Sequence, residues 1–264
     1  MSKKCIFCDQ TGMSKEHFWP DWMGKELGKS PTDKYVEGVI ASEPKSSDYD
    51  EKLSERSGNV STKKFRVVCT KCNNGWMSAL EDKLKPIIKN VLYSCDIELN
   101  RDQIKLFTQW LVMKAMLAEH SNNNTESTPK TDLLEFGKRQ KIPDSFRIYL
   151  AKHDLDDNSA YSRTSIRLGT SHTQSREIVE QGNNTQATAF IVGRLFIYVF
   201  SCSDPKVNIL GDFKLNRLKR VRFNRSKQLP FKHLKTIGAS EVNRIVFALE
   251  NYLNSDKIDK AVLA

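Results

Sequence analysis

Cys5-Ile6-Phe7-Cys8 and Cys69-Thr70-Lys71-Cys72 enclose Lys15-Glu16-His17-Phe18-Trp19-Pro20, and Asn73 follows the second pair directly. Two Cys-x-x-Cys knuckles provide four thiolates, the number a closed tetrahedral zinc site requires. Their separation of about 60 residues is wider than a compact finger, and a treble-clef arrangement accommodates such an insertion between knuckle and helix. Cys5, Cys8, Cys69 and Cys72 are therefore the candidate zinc ligands. Glu16, His17 and Asn73 are tethered beside them, a second and chemically different set of oxygen and nitrogen groups.

The remaining cysteines, Cys95 and Cys202, fall outside the pattern and read as small buried apolar residues. No apolar run approaches the roughly 18 residues needed to span a bilayer, so no membrane association is expected. Met1-Ser2-Lys3-Lys4-Cys5 lacks a hydrophobic stretch behind its lysines and does not read as a signal peptide. A cytoplasmic protein is expected, a setting in which cysteines at this spacing hold metal rather than disulfides. A chain of 264 residues allows one or two domains with their own cores. Its formal charge of +10 suits a polyanionic partner without choosing among nucleic acid, acidic protein and membrane surface.

Hydrophobic periodicity divides the chain near residue 95. In the first part, Gly24 to Ser61 is polar and reads as an insertion or mobile loop. Phe65 to Val68 reads as a strand leading into the second knuckle. Trp76, Leu80, Leu84 and Ile87 recur at helical spacing, Asn73 falls in that helix's first turn, and Pro86 is placed to open a second helical segment. Trp19, Trp22 and Trp76 are expected to pack the small module around its zinc.

From 96 to 264 the pattern is α+β. An amphipathic helix is expected over Arg101–Glu119 and a shorter one over Leu133–Lys141. Strands are expected at Phe146–Leu150 and Ser165–Leu168, and a hairpin pairs Gln186–Val192 with Leu195–Cys202 through Gly193-Arg194. Glycine at the first loop position fits a type II′ turn. Val242, Ile245, Leu249 and Leu253 mark a last helix capped by Ser240. The whole reads as a zinc module (1–95) followed by an α+β domain with an antiparallel sheet (96–264) for substrate binding, oligomerisation or regulation.

The order C-x-x-C, acidic-His, C-x-x-C-N resembles the HNH endonucleases of the His-Me finger (ββα-metal) superfamily, closest to the endonuclease VII arrangement. The resemblance covers roughly the first 90 residues and rests on seven positions. It implies that Glu16 is an acidic ligand of a divalent ion, Mg²⁺ or Mn²⁺, that His17 is the general base, and that Asn73 completes the protein's share of the metal shell. It implies a phosphodiester hydrolase acting on nucleic acid, DNA rather than RNA. Phosphodiester hydrolysis needs an activated water and neutralisation of growing charge. Histidine suits proton removal near neutral pH, and a carboxylate with an amide leaves an open hard-oxygen shell. The chain departs from the family at two points. The nearest asparagine before the second knuckle is Asn59, and Trp76 and Met77 stand where many members have a further histidine. The alternative reading is a non-catalytic zinc-dependent nucleic-acid-binding or adaptor protein.

Phe213 to Ser240 carries Lys214, Arg217, Lys219, Arg220, Arg222, Arg225, Lys227, Lys232 and Lys235 without one acid, a candidate phosphate-contacting strip. Lys63, Lys64 and Arg66 form a smaller patch beside the knuckle. His120, His153, His172 and His233 have no ligand-like spacing and read as surface or helix-end residues. No Gly-rich phosphate loop and no Ser or Cys nucleophile constellation is present.

Overall fold

The computed structural model of the chain describes residues 3–26, 34–41, 50–57, 63–121, 125–156, 159–168, 182–207 and 209–253, with 34–57 as backbone alone. At its centre runs a helix, here α4 (Arg101–Ala118), that begins on a reciprocal cap. Asn100 Oδ1 accepts from the Gln103 amide at 3.0 Å, and Gln103 Oε1 accepts from the Asn100 amide at 2.9 Å. Caps of this kind stabilise a helix by about 1 kcal/mol. Every residue from Phe107 to Ala118 is buried. The expected helix is present, but over these three turns it has no solvent face, as a helix enclosed on all sides requires.

One flank of α4 is a six-stranded sheet of β6 (Phe146–His153), β7 (Ser159–Ile166), β8 (Thr185–Val192), β9 (Leu195–Cys202), β10 (Lys219–Val221) and β12 (Thr236–Ile237). The order is β10-β6-β9-β8-β7, with β12 also on β6. Strand alternation sends Phe190, Val192, Leu195, Ile197 and Val199 toward α4. Their neighbours Ala189, Ile191, Phe196, Tyr198 and Phe200 face the other way. There they meet Val242 and Ile245 of α6 (Ala239–Val246) and Leu249 of α7 (Ala248–Leu253). The sheet is mixed rather than antiparallel, because β12 runs parallel to β6.

The described side chains of 3–26 and 63–95 contribute to the same core. A single apolar cluster runs from Cys5, Phe7 and Trp19 through Leu80 and Ile88 to Phe107, Trp110 and the inner sheet residues. This N-terminal part contains β1 (Glu16–His17), α1 (Asp21–Glu26), β2 (Lys34–Ala41), β3 (Asp50–Ser57), β4 (Lys64–Phe65), α2 (Thr70–Cys72) and α3 (Ser78–Tyr93). Downstream, β5 (Glu98–Asn100) pairs with β11 (Gln228–Pro230), and α5 (Lys130–Arg139) lies over the first knuckle.

Several boundaries differ from expectation for identifiable reasons. The stretch 24–61 contains β2 and β3, paired antiparallel along eight residues each, where an insertion or mobile loop was expected. The strand before the second knuckle is only Lys64–Phe65, because Val67 and Val68 bond the loop at 6–14 instead. Pro86 lies inside a continuous α3, on its exposed face, where Asp82, which loses its helical partner, is also exposed. The last helical pattern breaks at Phe247 into α6 and α7. Gly238, not Ser240, is the capping position, and no side chain caps it.

The β8–β9 turn is as expected. Val192 pairs Leu195, Gly193 has φ +58°, and Arg194 stays at negative φ, the signature of type II′. The glycine has a second duty. A Cβ there would stand 2.6 Å from Leu92 Cα, so the hairpin tip is seated on the end of α3. His153 fastens it, with Nε2 2.8 Å from the Gly193 carbonyl oxygen. His153 is thus a buried core residue, not a surface one, because both ring nitrogens have backbone partners, the Leu155 amide donating to Nδ1 at 3.1 Å. Gly193→Ala should destabilise the chain by about 2 kcal/mol, combining backbone strain with a backbone clash. Urea unfolding of the full chain measures this, with an unchanged midpoint contradicting it.

Candidate metal centre and the histidine beside it

The first knuckle is a tight turn closed by Asp9 N to Cys5 O at 2.8 Å and Cys5 N to Gln10 O at 2.8 Å. The chain then runs beside the second knuckle, with Ser14 N on Val68 O (2.9 Å) and Thr70 N on Gly12 O (3.0 Å). Cys69 caps α2, its sulfur accepting from the Cys72 amide at 3.5 Å. The second pair thus opens a helix, as its sequence suggests. The sulfurs of Cys5, Cys8, Cys69 and Cys72 all lie within 4.8 Å of one another. All six cysteines are free thiols, and Cys95 and Cys202 are buried away from this cluster, as expected.

The donor set fits zinc. Zn–S bonds of about 2.3 Å in a tetrahedron separate sulfurs by about 3.8 Å, and the Cys8–Cys69 distance is 3.5 Å. Burial and the crowding thiol of Cys8 push the Cys72 thiol far above the usual range, and burial raises Cys5 as well. At Cys69 burial acts in the same sense but is outweighed by the Cys72 amide and the thiols of Cys8 and Cys5, so this thiol ionises more readily. Such thiols ionise together only beside a cation, so the cluster could hold a zinc ion.

After α2 the backbone passes through a π turn, Asn73–Met77, in which Gly75 takes φ −95° and ψ −111°, well off helical values. The turn brings Asn73 back over the first loop, where Nδ2 donates to Ser14 Oγ at 2.9 Å. It also turns Trp76 onto Phe7 and Phe136, with ring centroids 5.2 and 5.8 Å away. A Cβ at Gly137 of α5 would stand 2.0 Å from the Phe7 carbonyl oxygen, so that helix lies directly on the knuckle. Trp19 is fully buried against Trp110, and the tryptophans near the motif pack the module.

Glu16 and His17 pair with Phe65 and Lys64 across the two-residue ladder β1–β4. Alternation turns Glu16 inward and leaves His17 partly exposed at 30 %. Glu16 meets the wholly buried Lys114, whose Nζ lies 3.2 Å from Glu16 Oε1 and 2.8 Å from Glu81 Oε1. The same ammonium donates to the His17 carbonyl at 3.3 Å. Burial pushes the Glu16 carboxyl up despite Lys114. Burial alone would lower Lys114, but Glu81 and Glu16 outweigh it and hold the ammonium charged. Removing one member of such a buried pair costs about 3–5 kcal/mol.

His17 Nε2 is 3.9 Å from Asp21 Oδ1. Burial pulls the imidazole below its ordinary value, the Lys64 charge adds to this, and Asp21 opposes it. His17 is therefore uncharged near neutral pH, the form a base requires. Lys64 and Arg66 are exposed beside it, and the Lys63 ammonium lies over the rings of Phe65 (5.6 Å) and Tyr161 (5.2 Å).

At the expected divalent site the structure places a cation of its own, Lys114, against Glu16. Glu16 Oε1 is engaged with Lys114, whereas Asn73 reaches Ser14 through Nδ2, a contact that does not use its ligating oxygen Oδ1. Among the described residues, the four cysteines are the group of His, Cys, Asp or Glu side chains gathered closely enough to hold an ion. The buried Lys114 ammonium against Glu16 disfavours Mg²⁺ or Mn²⁺ at that carboxylate. Lys114 and Glu81 were not evident from motifs, although a lysine inside Leu111-Val112-Met113-Lys114-Ala115-Met116-Leu117 is itself a signal.

The other candidates are spread out. All nine basic residues from Lys214 to Lys235 are exposed. Arg217 is partly engaged, with Glu241 at 2.9 Å and the Thr236 carbonyl at 2.9 Å. Lys219 and Arg220 lie on the edge strand β10. His120 ends α4 with Nδ1 3.3 Å from Glu126 Oε1, His233 is exposed, and His172 lies outside the described residues. Compared with known proteins, the chain matches no family model, no curated protein and no solved structure. No helix among the described residues is long and apolar enough to cross a membrane.

Cys69→Ser or Cys72→Ser should lower zinc content from one ion per chain and decrease the melting temperature, while Cys95→Ser leaves zinc content unchanged. Elemental analysis with thermal denaturation checks both, and full zinc retention in Cys69→Ser would sink the four-thiol site.

Proposed function

We propose that the chain is an HNH-type endonuclease with a treble-clef zinc module, cleaving phosphodiester bonds in nucleic acid, and in DNA by its resemblance. The observation that carries this reading is His17, a partly exposed and uncharged imidazole on the short ladder entering the second knuckle. In this role the ring removes a proton from the attacking water, with Asp21 near Nε2 stabilising the imidazolium that forms. Lys64, paired with His17 across the ladder, and Arg66 hold the phosphate and offset its growing charge. The exposed strip from Lys214 to Lys235 adds sequence-independent grip on the backbone.

A second reading, nucleic-acid binding without cleavage, is favoured by one observation. The acidic residue that would hold the divalent ion is tied to Lys114. The two readings separate on His17→Ala. For the nuclease, this variant loses cleavage of plasmid and single-stranded substrates while zinc content and melting temperature hold. Binding without cleavage under EDTA, Mg²⁺ and Mn²⁺ alike would defeat the catalytic reading.

Two further outcomes are expected. A depressed imidazole pKa keeps the base form present to lower pH, so the acid limb of kcat/KM should fall below about 6.5. A limb at or above that value contradicts His17 as the base. Replacing Lys219, Arg220 and Arg222 by Ala should flatten the slope of log K against log salt on duplex DNA by about 2–3. An unchanged slope would remove the strip from the binding surface.

A further inference from the structure

The Lys114 ammonium has three N–H donors and three acceptors from two other elements. Glu16 and the His17 carbonyl belong to β1, and Glu81 belongs to α3. Its side chain is 0 % exposed and that of Glu16 8 %. No donor of the ammonium is left over, and Trp110 Nε1 donates to Glu81 at 3.4 Å from the same helix that carries Lys114. The arrangement is a closed set, not a chance surface pair.

Its position matters more than its strength. β1 is two residues long and has one partner strand, so its ladder alone fixes the His17 backbone weakly. The Lys114 contact reaches that backbone directly, at the carbonyl of the candidate base itself. It also places a positive charge against one oxygen, Oε1, of the carboxylate that would have to meet a divalent ion, and like charges disfavour a second cation there. We propose that Lys114 is the resident cation of the Glu16–His17 site. It is a positioning residue that pins His17 onto α4, and Glu16 serves as its counter-ion rather than as a ligand for a divalent metal.

The positioning half of this inference rests on the reading of His17 as a base, while the statement about Glu16 does not. Both are tested on the zinc-loaded full chain. Mn²⁺ is titrated into the wild type and Glu16→Gln, following paramagnetic broadening of the His17 ring resonances. Equal response in the two proteins is expected. Binding in the wild type that Glu16→Gln weakens by about tenfold or more would overturn the inference, because the carboxylate would then be a metal ligand.

Lys114→Met should move the His17 ring resonances. If the chain cleaves nucleic acid, kcat should fall by about a hundredfold with KM nearly unchanged, since a small misplacement of a base is felt in the chemical step. Lys114→Arg should recover part of both. Ring resonances in Lys114→Met that coincide with the wild type's would overturn the positioning role. Where Lys114→Met does not fold, the ring shifts of Lys114→Arg and the Glu16→Gln comparison decide. A chain that cleaves nothing defeats the nuclease reading alone, because the resonance and Mn²⁺ measurements need no substrate.

Discussion

Four sulfurs within 4.8 Å of one another impose the condition on which the N-terminal part depends. The segments that carry them are short on regular structure, consisting of a turn at 5–9, a loop at 10–15 and one turn of helix at 70–72. A handful of backbone bonds joins them, and two of the thiols are pushed toward the neutral form by their burial. A dication held by these thiolates would add its attraction to the apolar packing of Phe7 and Val68 and to those backbone bonds. The surroundings are built to that centre. Trp76 reaches Phe7 by way of the π turn, and Gly137 lets α5 touch the knuckle backbone.

A second electrostatic centre meets β1 in the interior. Lys114 draws α3, α4 and the His17 strand together in the interior, where a lone charge would not survive and a satisfied triad does. The two strands of the ladder lie next in sequence to the two cysteine pairs, and the triad contacts the His17 backbone of the same ladder. His17 is therefore held by Lys64 across the ladder and by Lys114 of the central helix, while its ring stays partly accessible. That combination of a fixed backbone and an open side chain is what chemistry at an imidazole asks of a scaffold.

Much of this was legible from residue order. The knuckles, the long helix from Arg101 and the Gly193 hairpin all follow from local rules of spacing, capping and turn chemistry. What escaped was set by tertiary partners. Pro86 reads as a helix start until α3 is seen to expose it, and His153 reads as a surface residue until the hairpin tip arrives at Gly193. β3 is polar enough to look like loop, and β2, with Tyr35, Val36, Val39 and Ile40, is an apolar run inside a stretch that is polar overall. The seven-position motif names Glu16 correctly as special but not its partner, because Lys114 lies 98 residues away in sequence.

The edge strand β10 has a consequence of another kind. An outermost strand presents unpaired backbone groups on which a second molecule can template itself. Here it is three residues long, and Lys219 and Arg220 on it are exposed. Short length and like charges repel a second copy of the same edge. The same two cations oppose pairing of this sheet edge with another copy of itself, so replacing them with apolar residues would remove a guard against edge-to-edge association.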